Sequence, residues 1–269
     1  MSMSIVEIDG LVHRYEDDGD AAVSGVSLSV EEGEFVLVCG RNGSGKTTLL
    51  RHLNALLEPD EGEVRIDGKV AHENKTHART TVGMVFQDAR SQIVGETVED
   101  EVAFGPENLG LGDDEIRRRV DEALSDLGIR HLSDRYPRTL SGGEVRRVAV
   151  AGVLAMEPRV VVLDEPLAGL DSEGVEDVLE ALESLKRKGM TVLVATHSTD
   201  EFLESGAADR MVVVEDGEVV EDGDPLETVL SGVEEYGVPE PYAVRLLRRA
   251  GVDAEEVEGA QPKEVLDLM

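Results

Sequence analysis

Residues 40–47 read Gly-Arg-Asn-Gly-Ser-Gly-Lys-Thr, and their setting leaves few folds open. Before them runs an unbroken apolar stretch, Phe35 to Cys39, the mark of a strand buried on both faces. After them residues 47–57 carry a helical pattern, and Pro59 follows. Strand, loop and helix in this order fit the motif G-x4-G-K-[ST]. The glycines Gly40, Gly43 and Gly45 let the loop wrap closely, so that backbone N–H groups point at phosphate oxygens. The helix that follows adds the positive end of its dipole. Lys46 then faces the β- and γ-phosphates of a nucleotide, and Thr47 offers its hydroxyl oxygen to Mg2+. Cys39 ends an apolar strand and is read as a packing residue.

Such a loop does not by itself name a function, because switches, kinases and motors share it. A second motif narrows the choice. Residues 160–165 read Val-Val-Val-Leu-Asp-Glu, an apolar strand that delivers two adjacent carboxylates at its C-terminal end. Ligands bind at that end in open α/β sheets. Neighbouring strand residues point opposite ways, so the two acids can take different tasks. Asp164 is expected to hold Mg2+, and Glu165 to orient and deprotonate an attacking water. A third element, Leu140-Ser141-Gly142-Gly143-Glu144, precedes a helical segment and makes another anion-binding helix start. On local grounds it reads equally well as a plain capped helix.

The rest of the chain alternates strand and helix. Val26, Leu28 and Val30 alternate with Ser27 and Ser29, the pattern of a half-buried strand. Residues 64–66, 82–86 and 191–195 are expected to be further strands. Ile116, Val120, Ala123, Leu124 and Leu127 share one helix face, with Gly128 as its stop. Val175, Val178, Leu179, Leu182 and Leu185 mark another helix, closed by Lys186, Arg187, Lys188 and Gly189. Residues 212–214 and 219–220 flank Glu215-Asp216-Gly217, a hairpin signal. The alternation predicts an α/β fold with a mainly parallel sheet covered by helices.

With these motifs in order the chain resembles the ATP-binding cassette (ABC) ATPases, over about residues 6–225. Their signature is LSGGQ, and here Glu144 takes the last place. The resemblance implies a P-loop cassette at residues 1–225, with a helical subdomain at about 88–157. A short helical C-terminal extension, 226–269, would serve pairing. It makes residues 40–47 together with Thr48 the ATP-binding loop, and Mg2+ the partner of Thr47, Gln87 and Asp164. Tyr15 stands where an aromatic stacks on adenine. Gln87 resembles the switch glutamine and His197 the switch histidine, both catalytic beside Glu165. Asp171, in Ala168-Gly169-Leu170-Asp171, resembles the interface loop between two ATPases. The implied mechanism is composite: ATP lies between one chain's phosphate loop and the Ser141, Gly142 and Gly143 turn of a second cassette, identical or paralogous.

Residues 91–111 resemble the ATPases of energy-coupling-factor (ECF) importers, which serve metal ions or vitamins. The resemblance implies a transmembrane coupling subunit, a substrate-binding membrane subunit and a peripheral place on the cytoplasmic face of the membrane. Glu96, Glu99, Asp100 and Glu101 are expected to meet a basic-tipped coupling helix, with Val98, Val102 and Phe104 as its apolar floor. Val244, Leu246, Leu247, Val265 and Leu266 are expected to form a small helical interface. The motor of a conventional ABC transporter and a soluble ABC ATPase are the alternative readings. Charge bears on the latter. Lys plus Arg number 26 against 58 Asp plus Glu, a net −32, which repels nucleic acid. Twenty of the basic residues are Arg, and the acid excess is read as adaptation to a salt-rich cytoplasm. One cysteine allows no internal disulfide. No stretch approaches the ~20 apolar residues of a membrane span, so an intracellular protein is expected.

Overall fold

The computed structural model describes residues 4–16, 19–240, Tyr242 and Arg245. In chain order it runs through β1 (Ser4–His13), β2 (Val23–Glu31), β3 (Phe35–Cys39), α1 (Lys46–Leu53), β4 (Glu61–Ile66), β5 (Lys69–Val70), α2 (Lys75–Thr81) and β6 (Val82–Val85). Four helices follow: α3 (Ala89–Gln92), α4 (Val98–Asn108), α5 (Asp113–Asp126) and α6 (Gly142–Leu154). Then come β7 (Val160–Asp164), α7 (Ser172–Arg187), β8 (Thr191–Thr196), α8 (Asp200–Ser205), β9 (Arg210–Glu215), β10 (Glu218–Gly223) and α9 (Pro225–Leu230).

The strands sort into two sheets by their hydrophobic pattern. β3, β7 and β8 are buried along their whole length. They form the middle of a six-stranded sheet in the order β10-β9-β3-β8-β7-β6. Every pair there is parallel except the β9–β10 hairpin. β2 alternates buried and exposed positions and joins a second sheet, β2-β1-β4-β5, which is antiparallel throughout. The expected mainly parallel sheet is the six-stranded one, and the first strands build a second, antiparallel sheet. Alternation supplies only one apolar face, which suits an antiparallel sheet rather than a doubly covered parallel one.

Period two along β3 divides the core. Val36 and Val38 face a cluster that holds α1 and the antiparallel sheet, through Leu49, Leu50, Leu53, Val6 and Val26. Phe35, Leu37 and Cys39 face the opposite cluster, which includes Val102, Val148 and Leu182 from the helices. So α1 lies between two sheets and cannot shift without disturbing both. It ends at Leu53, short of the expected residue 57. The amides of Leu56 and Leu57 return to the Arg51 carbonyl, and Ala55 turns to φ +54. The Asp216-Gly217 hairpin is present, with both residues at positive φ. Among the described residues no helix is long and apolar enough to cross a membrane. The proposed interface residues Val244, Leu246, Leu247, Val265 and Leu266 lie outside the described residues.

Candidate active site

Parallel strands carry their C-terminal ends to one edge, and there the chemistry gathers. β3 runs into the phosphate loop, β7 ends at Asp164 beside Glu165, and β8 ends at Thr196 beside His197. A cleft of about 470 Å3 at this edge is lined by Tyr15, Ala22, Asn42, Gly43, Gly45, Lys46, Thr47, Thr48, Gln87 and Glu165.

Two glycines are required by close contacts. Gly40 and Gly45 sit at φ +147 and +108. A Cβ at Gly40 would strike the Val214 carbonyl, and one at Gly45 would strike the Ala22 carbonyl. Lys46 is buried, and its Nζ donates to the carbonyls of Gly40 at 2.8 Å and Arg41 at 2.9 Å. Burial pulls the ammonium pKa down, against the opposing charges of Glu165 and Asp164. Cys39 is fully buried and its thiol is pushed up to about 12, so it packs and stays protonated. Ser44 is buried; Arg41 and Asn42 are exposed. The Arg41 guanidinium donates to the Glu235 carbonyl at 2.8 Å.

Thr47 Oγ1 donates to Asp164 Oδ2 at 2.8 Å, which locks the helix start onto the end of β7. Asp164 Oδ1 is buried with no hydrogen-bond partner among the described residues. Burial pushes the Asp164 pKa up, and the Glu165 charge adds to that, while the Thr47 bond opposes it. A buried, unsatisfied carboxylate oxygen on the group bonded to Thr47, whose hydroxyl lines the same cleft as Gln87, makes a hard-oxygen set suited to Mg2+.

Glu165 takes φ +49, the left-handed region that costs a side-chain-bearing residue of order 1 kcal/mol or more. Its amide donates to the Ala195 carbonyl at 2.8 Å. Its Oε1 accepts from His197 Nδ1 at 2.8 Å, and Oε2 lies 3.4 Å from Thr196 Oγ1. The carboxylate is buried and His197 is half exposed, so the ring's Nε2 is the atom left for a ligand. Tyr15 is exposed just past β1; its hydroxyl lies 3.0 Å from Thr48 Oγ1, and its ring meets His13 edge-on.

The remaining predicted residues gather elsewhere. Ser141 caps α6: its Oγ accepts from the Glu144 amide at 3.2 Å, and Glu144 Oε2 accepts from the Ser141 amide at 2.7 Å. That capping box draws the Glu144 carboxyl below its ordinary range. Asp171 Oδ1 accepts from the Gly174 amide at 3.0 Å and caps α7. Gly143 packs against Gly174, and Gly142 against Leu170. Residues 141–143 and Asp171 thus form one unit, with Ser141, Gly142 and Asp171 exposed and Gly143 buried, and none of them lines the phosphate-loop cleft.

Sequence reasoning missed three participants: Ala22, Thr196 and Arg146. Arg146 stands next to a second arginine, Arg147, and the sequence carries no signal that tells the buried one from its neighbour. The expected coupling surface also needs correction. Val98 and Val102 are fully buried core residues rather than an exposed floor. Glu101 is buried too, its Oε2 accepting the amides of Val94 and Gly95 at 2.7 Å each. It holds a turn and is closed to a partner. Phe104 and Val94 are exposed, and Glu96 lines a larger cleft of about 600 Å3 with Arg90, Ile93, Gly95, Tyr136, Pro137, Arg138 and Val145.

The sequence profile of the ABC transporter family matches residues 23–168. The energy-coupling factor transporter ATP-binding protein EcfA of Methanocaldococcus jannaschii is 46% identical over 235 residues, 86% of this chain and 83% of that protein. The solved structure of CbiO1 from Clostridium perfringens, described as part of the ABC transporter complex CbiONQ, superposes with a TM-score of 0.77. It is 34% identical and covers 98% of both chains. The dimeric cassette MJ0796, solved with ADP and phosphate bound, matches with a TM-score of 0.70 at 30% identity, covering 81% of this chain and 98% of that one.

Proposed function

Because this chain belongs to the ABC transporter family, we propose that it is the ATP-hydrolysing, energy-coupling subunit of an ECF-type importer of a metal ion or vitamin. The observation that carries the chemistry is the meeting of Lys46, Thr47, Gln87 and Glu165 in one cleft, with Asp164 bonded to Thr47 and His197 to Glu165.

The phosphate loop, Thr48 and Lys46 bind the triphosphate, and Tyr15 stacks on the adenine. Thr47, Asp164 and Gln87 would hold Mg2+, which when bound neutralises charge on the phosphate oxygens. Glu165 accepts a proton as the water oxygen bonds to the γ-phosphorus. The bond from that phosphorus to the bridging oxygen breaks, and ADP and phosphate leave. His197 keeps Glu165 aimed through Nδ1 and reaches the γ-phosphate through Nε2.

Residues 141–143 and Asp171 face the nucleotide of a second ATPase chain, so closure of two chains completes each site. Residues 1–225 form the cassette, 88–157 its helical subdomain and 226–269 an extension for pairing. The larger cleft, lined by Ile93, Glu96 and exposed Tyr136, receives the coupling segment of a membrane subunit at the cytoplasmic face. The net charge of −32 suits a salt-rich cytoplasm. Tagged protein purified from solubilised membranes of its source cells is expected to bring down two polytopic membrane proteins, identified by mass spectrometry. Recovery as a purely soluble species, with no membrane protein attached, would refute the importer reading.

A further inference from the structure

Arg146 is only 4% exposed, yet it carries a full charge. The next residue, Arg147, pairs with Asp177 at 2.6 Å. Arg146 has no carboxylate within ion-pair distance among the described residues. Its guanidinium is held instead by backbone carbonyls: Nη1 donates to Phe86 at 2.8 Å, and Nη2 to Gln87 at 2.9 Å and more weakly to Glu165 at 3.4 Å. Burying a cation with no carboxylate in ion-pair contact is costly; the three carbonyls offset it through charge-assisted bonds, and the more distant charges of Asp88 and Asp164 add to them.

The identity of those carbonyls is informative. Two belong to the segment leaving β6, which ends at the cleft-lining Gln87. The third belongs to Glu165, the residue with the strained backbone. A left-handed conformation persists only where the surroundings over-determine it. The Glu165 amide is fixed by β8, and its carbonyl is shared between the Ala168 amide at 3.2 Å and Arg146 at 3.4 Å. Arg146 itself stands on α6, five positions after Ser141, whose capped turn starts that helix.

We infer that Arg146 is a positioning residue for ATP hydrolysis. It ties α6 to the backbones of Gln87 and Glu165, so that movement of the 141–143 turn is transmitted to the aim of the Glu165 carboxylate. The planar fork of arginine suits this task, since it can serve carbonyls of two loops at once. A helix drawn toward a second chain's nucleotide would pull on both loops together. The inference rests on Glu165 being the base.

The test uses the full chain, as wild type, Arg146→Gln, Arg146→Lys and Glu165→Gln. The readouts are kcat and KM for MgATP, ADP affinity by calorimetry, melting temperature, and amide exchange at Glu165 in nucleotide-free protein. In Arg146→Gln kcat is expected to fall on the order of 10²-fold, as for a reacting group displaced by about 1 Å. KM and ADP affinity are expected to stay within about two-fold, because the phosphate loop is untouched. Arg146→Lys, which reaches fewer carbonyls, is expected to recover part of kcat. Exchange at the Glu165 amide is expected to quicken in both Arg146 variants. A folded Arg146→Gln with wild-type kcat overturns the inference. So does a kcat loss matched by equal losses in ADP affinity and melting temperature, which marks general unfolding. Should Arg146→Gln not fold, Arg146→Lys is judged on the same criteria. Wild-type turnover in Glu165→Gln sinks the assignment of the base, whereas an inactive Glu165→Gln beside a fully active Arg146→Gln sinks only the role given to Arg146.

Discussion

The phosphate-loop cleft and the Ser141 turn are both anion-binding shapes built on a helix start, yet they are built in opposite ways. The cleft is made from strand ends fixed by the sheet. Lys46, Asp164 and Glu165 are buried there, and its groups are cross-linked over long sequence distances, Thr47 to Asp164 and Glu165 to His197. The turn is local. Its hydrogen bonds span three residues, and Ser141 and Gly142 face solvent. One region holds the carboxylate proposed as the base, the ammonium proposed to bind phosphate, and a carboxylate oxygen with no partner among the described residues. The other holds none of these and carries a negative charge at Glu144. Two such halves on separate faces of one chain make sense if each serves the other's complement on a second copy.

The sharpest way to break that contrast is to disable the base. Glu165→Gln keeps the size and the His197 contact but cannot accept a proton. Hydrolysis is expected to fall by about 10³-fold or more, while ATP binding survives and the ATP-bound pair accumulates. Size-exclusion chromatography with ATP, beside a phosphate-release assay, reads both. A variant that turns over normally removes Glu165 from the chemistry.

Next in size is complementation. Lys46→Ala damages only the cleft, and Ser141→Arg damages only the turn. Each alone is expected to be nearly inactive. Mixed, they form pairs in which one intact cleft meets one intact turn, and turnover is expected to rise several-fold above either parent. If the mixture stays as inactive as its components, the two regions do not share a nucleotide across chains.

The contrast also explains what was readable in the sequence. The cleft was legible because its residues sit at fixed offsets from strong signals: an apolar run before Gly40, another before Asp164, another before His197. The β3, β7 and β8 strands and the α5 and α7 helices follow from the same runs. The second sheet was not legible, because alternation in β2 tells which face is buried and not which strand pairs with it. Val98 and Val102 misled for a similar reason: apolar residues beside acids look like a surface stripe until the helix is rotated into place. Arg146 escaped because its partners are backbone carbonyls, which leave no mark in side-chain patterns. Glu101 escaped likewise, its carboxylate bound to two amides.

Salt tests whether two such chains can approach at all. Each bears −32, and closure brings those charges together. Molar KCl shortens the screening length to about 3 Å, against about 10 Å at 0.1 M. Melting temperature is expected to climb over a KCl series, and the ATP-bound pair of Glu165→Gln to form more readily. Equal stability and equal pairing in dilute buffer and molar salt would remove the salt-adapted reading.

Asp164→Asn probes the strain held in the cleft. The folded carboxyl has its pKa raised above the ordinary 3.8 by burial. The folded state therefore binds the proton more tightly, and ionising Asp164 at neutral pH costs stability. The asparagine variant keeps an oxygen for the Thr47 hydroxyl and carries no charge. Without nucleotide it is expected to melt a few degrees above wild type at pH 7, the gap closing as pH falls toward 3.8. With MgATP the order is expected to reverse, because wild type gains more from the ligand. A gap that ignores pH would mean the variant acts through packing instead.

The smallest effect belongs to the turn, and its sign is opposite. Glu144 has its carboxyl drawn below the ordinary 4.5 by the Ser141 amide, so its ionised form stabilises the fold. That contribution is complete above pH 4.5 and is lost as pH falls through the lower folded value. Glu144→Gln retains the geometry of the box and drops the charge. Its melting temperature is expected to lie about 1–2 °C below wild type near neutrality, the small size reflecting solvent screening, and to converge with it in acid. Yet the same substitution removes one negative charge from each turn proposed to face a triphosphate. ATP-driven pairing at low salt is therefore expected to improve even as the single chain weakens. A variant that loses stability and pairing together would show the charge serving the helix alone, and the turn would then owe its sequence to capping rather than to a partner's nucleotide.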